Sequence, residues 1–188
     1  MSGINRGVLT KIHLAIACFI FPVALMFPIT GALYAWNVKG SYITETHDLA
    51  LTQALVKDAK QLQLLVMQEL DKQSLDYPSG KAKIKSAGTS WYFEWTGANR
   101  DVTLEPTAAA NSAQLKIKTT TWYRHLVQLH KAKGGQLFKG YAALFAMGLL
   151  TLLASGFIMA WQVPRFRQLA GMSSVLGILV FALALGLS

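Results

Sequence analysis

Apolar residues in this chain gather into three long blocks, with one polar stretch between the first and the second. Ile12 to Trp36, Gly140 to Trp161 and Leu169 to Ser188 contain no Asp, Glu, Lys or Arg. A helix rises about 1.5 Å per residue, so about 20 such residues cross the roughly 30 Å hydrocarbon layer of a bilayer. The blocks predict transmembrane helices over 12–36 and 140–161. They predict a third over 169–188, only just long enough and interrupted by Ser173, Ser174 and several glycines. Pro22 and Pro28 each remove a helix hydrogen bond and predict a bend in the first span. Around the spans the pattern sets a tail at 1–11, an α+β domain at 37–118, an amphipathic helix and junction at 119–139, and a loop at 162–168. The fold class expected is an α-helical transmembrane bundle with an extramembrane α+β insert.

Within the polar stretch the periodicity changes along the chain. Leu51, Leu55, Leu62, Leu65, Val66, Met67 and Leu70 recur at threes and fours, which predicts a helix over 48–73 with Asp48 as its N-cap. Tyr77-Pro78-Ser79-Gly80 breaks it. Strands are predicted over 81–85, 90–95 and 100–104, joined by turns at Ser86-Ala87-Gly88-Thr89 and Thr96-Gly97-Ala98-Asn99, with an edge strand over 114–118. A second helix is predicted to start at Thr119-Thr120-Thr121. Trp122, Leu126 and Leu129 form its apolar stripe, flanked by His125 and His130, while Arg124, Gln128 and Lys131 face away. Lys133-Gly134-Gly135 ends it.

Composition supports the membrane assignment. The chain is 53% hydrophobic and 14% charged, more apolar and less charged than a soluble domain. All nine acidic residues lie between Glu45 and Glu105, and the only charges outside 39–139 are Arg6, Lys11, Arg165 and Arg167. Those four flank the first two spans on one side, which the positive-inside rule makes cytoplasmic. The main domain is therefore expected on the outer side of the membrane. The net charge of +9 is scattered over a membrane-tethered domain, so it argues for anionic lipid or an anionic ligand and against nucleic acid as partner. The lone Cys18 permits no intramolecular disulfide and no cysteine-based metal site. The first span is longer than a signal-peptide core and ends at Tyr34 and Trp36 rather than at a small-residue cleavage site, so it reads as a retained anchor.

Chemistry is confined to the histidines. No nucleotide-binding loop and no hydrolase motif is present. His13 opens the first span, which closes on Thr30-Gly31-Ala32-Leu33-Tyr34-Ala35-Trp36; His130 precedes the second, which closes on Ser155-Gly156-Phe157-Ile158-Met159-Ala160-Trp161. The hydroxyl–glycine pairs mark positions where helices approach closely. Imidazole at a membrane boundary is a possible axial ligand for haem iron, and equally an ordinary interfacial side chain. The two histidines stand at opposite ends of their spans, so they cannot share one haem within one chain. A second ligand must come from His125 after rearrangement, from Met159, or from a second copy of the chain. His125 and His130 are five residues apart, about 140° around a helix, and one regular helix cannot clamp a haem between them. His47, beside Glu45 and Asp48 in the linker, is a solvated residue or a weak metal contact.

Lys11-Ile12-His13-Leu14, Thr30-Gly31-Ala32-Leu33, Leu129-His130, and Ser155-Gly156 through Trp161 followed by Arg165 together resemble the PepSY-associated transmembrane family, over most of the chain. The insert resembles a PepSY-type domain. The resemblance implies a multi-pass protein of the bacterial inner membrane with its main domain periplasmic, and haem-dependent reduction of ferric iron or a ferric siderophore outside the cytoplasmic membrane, in support of iron uptake. It implies haem b as cofactor, with His13 and His130 as ligands and His125 as a third. The chain lacks the flavin or NADPH module of a self-sufficient reductase, so electrons would come from quinol or a partner protein, and a homodimer would supply the missing ligands. Trp91, Tyr92, Trp95 and Trp122 would line the iron-binding surface unless they serve as sheet and core packing. The competing reading is a non-enzymatic accessory or regulatory membrane protein that binds a partner or a metal; a third is iron transport without redox chemistry.

Overall fold

The structure, a computed structural model, describes residues 5–88, 90–109 and 111–187. Residues 1–4 of the predicted tail, Thr89 of the predicted turn, Ala110 of the insert and Ser188 of the third block lie outside them. The chain divides into two compact units, residues 1–24 with 142–188, and residues 25–141.

Three helices are long and apolar enough to cross a membrane: α1 (Arg6–Ala35), α4 (Gln136–Gln162) and α5 (Pro164–Leu187). Each starts before its uncharged block. α1 begins at Arg6 and takes in part of the predicted tail, and it runs unbroken through Pro22 and Pro28. The predicted loop at 162–168 is largely helical, because Pro164 starts α5 directly after Val163; proline suits the first helical position, whose N–H is unpaired in any case. In the first unit, a Cβ on Gly148 of α4 would lie 3.2 Å from Ile20 Cγ2 and 3.6 Å from Ile16 Cγ2 of α1, so glycine permits the close approach of the two helices. Among the described residues α5 buries none, which suits an apolar helix whose solvent is lipid.

The second unit is built on a five-stranded antiparallel sheet of β1 (Tyr42–Ala50), β2 (Ala82–Ala87), β3 (Ser90–Thr96), β4 (Arg100–Pro106) and β5 (Ser112–Thr120), in the order β1-β5-β4-β3-β2. Alternate residues of β3, β4 and β5 point to one face: Phe93 and Trp95, Val102 and Leu104, Ala113, Leu115 and Ile117. Helix α2 (Ala59–Lys72) covers that face with Leu62, Val66 and Leu70, four residues apart. Burying each of these large side chains contributes about 1.5–3 kcal/mol.

Three expectations are corrected here. The helix predicted from Asp48 begins at Ala59, and its N-cap is Asp58, whose carboxylate accepts from Lys60 N at 2.8 Å and Gln61 N at 3.0 Å. Residues 42–50 form a strand instead, rich in β-branched residues and paired with all of β5. Leu51 and Leu55 still pack against the core, as does Leu49 of the strand, but Leu51 and Leu55 do so from outside the helix that their spacing predicts. His47 is therefore a strand residue opposite Leu115. The predicted edge strand, β5, lies inside the sheet because β1 covers it.

Helix α3 (Trp122–His130) is rotated from the predicted stripe. Trp122 is 79% exposed, whereas Val127 and Gln128 are buried. Polar bonding outweighs the apolar stripe. Gln128 Nε2 donates to the Tyr42 hydroxyl at 2.8 Å and to Asp101 Oδ2 at 3.3 Å; Arg124 Nη2 donates to the same hydroxyl at 2.9 Å, and that hydroxyl donates to Asp101 Oδ2 at 2.9 Å. Lys133 Nζ completes the group at 3.2 Å from Asp101. Gly40 makes room for this junction: its φ is +70°, and a Cβ there would meet Arg124 N at 2.9 Å.

Candidate functional site

His13, near the start of the first span, and His130, before the second, each rest on the hydroxyl–glycine pair of the other span. His13 of α1 places Nδ1 2.8 Å from Ser155 Oγ of α4, and its Cε1 would lie 3.7 Å from a Cβ on Gly156. His130, at the end of α3, places Nδ1 2.9 Å from Thr30 Oγ1 of α1, and its Cε1 would lie 3.1 Å from a Cβ on Gly31. The Phe27 ring stands 5.0 Å from the His130 ring, tilted by 37°. Glycine removes the side chain that would push the imidazole off the helix surface, and the neighbouring hydroxyl supplies a fixed polar anchor.

The hydroxyls are oriented by their own helices. Thr30 Oγ1 donates to Met26 O at 2.6 Å, with Phe27 O at 3.2 Å, and Ser155 Oγ donates to Leu152 O at 3.1 Å. A hydroxyl has one proton. With that proton on a backbone carbonyl, the oxygen faces the imidazole as an acceptor, so Nδ1 carries the hydrogen in each ring. A neutral imidazole then keeps its lone pair on Nε2. Among the described residues neither Nε2 has a hydrogen-bond partner. An anchored Nδ1–H with a free Nε2 is the arrangement that protein sites use to orient a metal-ligating imidazole.

The remaining predicted groups lie elsewhere. His125 Nδ1 donates to Ala98 O at 3.0 Å, and α3 is continuous from Trp122 to His130, so the local rearrangement that would join His125 to His130 is not present. Met159 Sδ accepts from Thr10 Oγ1 at 3.5 Å. His47 Nε2 is 3.8 Å from Glu45 Oε2, and no group of three or more His, Cys, Asp or Glu that could hold a metal ion occurs among the described residues. Trp95 is buried, with Nε1 donating to Gly80 O at 2.9 Å, and Trp91 packs against the core; of the four proposed surface aromatics, Trp122 is the strongly exposed one.

A family model described as the PepSY-associated TM region matches residues 3–185. The chain belongs to that family. Comparison with curated proteins and with solved structures returns no match. As a PepSY-associated protein with three candidate spans and an α+β insert, it is a multi-pass membrane protein. The residues that sequence reasoning passed over are Thr30, Gly31, Ser155 and Gly156 as seats for imidazole. The signal was available in the two matching phrases, but it pointed to helix packing because nothing in the order of residues says that the phrases exchange histidines.

Proposed function

We propose that this PepSY-associated protein carries electrons across the bacterial inner membrane through haem b held by His13 and His130, and reduces ferric iron or a ferric chelate on the periplasmic side in support of iron uptake. The observation that carries this reading is the free Nε2 on both half-buried rings, each fixed by a hydroxyl whose own proton is committed to its helix. Neutral imidazole with an available nitrogen is an axial ligand of haem iron. When bound, haem supplies one-electron redox chemistry that the side chains lack.

The chain's own residues do the positioning. Ser155 and Thr30 hold the Nδ1 protons and so keep Nε2 unprotonated, and Gly156 and Gly31 let the rings lie against the helices. The two seats draw on opposite ends of α1, so they are two stations and not one pair. Each seat offers one imidazole, and a second copy of the chain is the source we assign to any further ligand that the haem would take. Arg6, Lys11, Arg165 and Arg167 favour the orientation that puts the α+β unit outside. Quinol or a partner protein donates the electrons.

The test is the spectrum of the detergent-purified protein from haem-sufficient cells, oxidised and then reduced with dithionite. A sharp Soret band and a reduced α band are expected, and His13→Ala and His130→Ala should each remove or shift part of them. A colourless preparation would overturn the haem reading; full haem content in both variants would overturn the ligand assignment.

A further inference from the structure

Among the described residues Arg100 is the one charged side chain that is buried, at 7% exposure. Its Nε donates to Thr119 Oγ1 at 3.3 Å and its Nη1 to the backbone carbonyl of Asp76. A guanidinium has five N–H groups, so these bonds use two. No carboxylate of the described residues lies within ion-pair distance of it. A buried cation without a counter-ion is costly. Burial lowers the Arg100 pKa from its ordinary value, against the opposing pull of the more distant Asp76 and Glu45 charges.

Arg100 lines a cavity of about 510 Å3 together with Thr119, Trp122, His125 and Leu126, and with Asp76, whose side chain is exposed. Its chemistry is two-sided. Thr119 accepts from Arg100, which leaves its own hydroxyl proton free to donate beside the guanidinium. Leu126 and Trp122 are apolar, and Trp122 is 79% exposed at the start of α3, an indole left facing solvent where a planar ligand can cover it. His125 spends Nδ1–H on Ala98 O, so its Nε2 offers an acceptor to a hydroxyl.

We propose that this cavity binds a hydroxylated aromatic carboxylate. The carboxylate takes the bidentate fork of Arg100 and the Thr119 hydroxyl, the ring lies between Trp122 and Leu126, and a ring hydroxyl donates to His125 Nε2. Such a ligand supplies the missing counter-charge and covers the exposed indole at once. The volume is that of an ordinary small-molecule site. The inference does not depend on haem, and its test needs none.

The experiment is isothermal titration of the full chain in detergent micelles with 3-hydroxybenzoate, alongside benzyl alcohol and inorganic phosphate. Saturable binding of the hydroxybenzoate is expected, with both comparison compounds at least about tenfold weaker. Arg100→Gln and Trp122→Ala should each weaken binding by roughly tenfold or more, and Trp122→Phe should stay within about threefold. If Arg100→Gln fails to fold, Trp122→Ala decides, because its side chain is mostly in solvent. Heat that is not saturable below about 10 mM, or is the same in Trp122→Ala, marks partition into the micelle and overturns the proposal. Phosphate binding as tight as hydroxybenzoate overturns it as well, since an anion alone would then satisfy Arg100.

Discussion

The two histidine seats are built from the same parts and differ in how tightly the parts close. Thr30 is 2% exposed and its hydroxyl's helix bond is 2.6 Å; at Ser155 the figures are 5% and 3.1 Å. The Gly31 position would bring a Cβ to 3.1 Å of its imidazole, against 3.7 Å at Gly156. The His130 ring also has an aromatic neighbour in Phe27. The common plan is a hydroxyl–glycine pair. What varies is the tolerance, and it separates a residue that is required by space from one that is merely suited to it.

Substitutions at the two seats test that contrast. The largest effect is expected from Thr30→Val, which keeps shape and removes the acceptor from the half-buried Nδ1–H of His130. It should cost about 1–3 kcal/mol of stability, read by thermal unfolding in detergent, with Thr30→Ser restoring most of it. The same variant should shift His130 away from the Nδ1–H tautomer in 15N NMR of labelled histidine, whereas Ser155→Ala should do so at His13 with a smaller stability loss. Next is the glycine pair. Alanine gains about 0.5–1 kcal/mol over glycine inside a helix, while crowding a packed site costs about 1–3 kcal/mol. Gly156→Ala should therefore be neutral or stabilising and Gly31→Ala destabilising; equal melting shifts would show that the two seats are equally tight. Phe27→Leu follows, with an expected loss of about 0.5–1.5 kcal/mol for the ring pair and no change at His13.

The smallest effect lies outside the seats and serves as their control. Burial comes first among the causes that raise the Tyr42 pKa, followed by its hydrogen bonds, with Arg124 lowering it and Asp101 raising it. A folded pKa above the unfolded value means that stability is full below the ordinary phenol range and falls as pH rises through and beyond it. Thermal unfolding across that alkaline range should show a decline that Tyr42→Phe reduces, with both histidine seats unchanged.

The seats also show where sequence reading reaches its limit. The spans were legible because charge-free blocks of that length have few other uses, and β3 and β4 were legible from strand-forming residues bounded by turns. The sequence pattern draws the start of the helix back to Asp48 because Leu51 and Leu55 fall on a helical spacing that continues into a true helix; pairing with β5, a long-range term, makes residues 48–50 the end of a strand. The face of α3 was missed because Gln128 reads as a surface residue until Tyr42 and Asp101 are brought to it. His13 and His130 were found as candidates from their type and place. Their anchors were not, since the contact crosses from one phrase to the other. His125 was grouped with His130 by proximity in sequence, and the helix places it on the cavity that Arg100 lines.

The crossing of the two phrases has a consequence for how the protein is made. Thr30 and His130 are 100 residues apart and His13 and Ser155 are 142 apart, so neither contact exists while only the first span has left the ribosome. The His130 contact can close as soon as residue 130 has emerged. The His13 contact waits for Ser155, which follows 25 residues later (155 minus 130), or about 1–5 s of translation at about 5–20 residues per second. Until the second span is threaded, the imidazole of His13 has no anchor, and the nascent chain holds one finished seat and one open one.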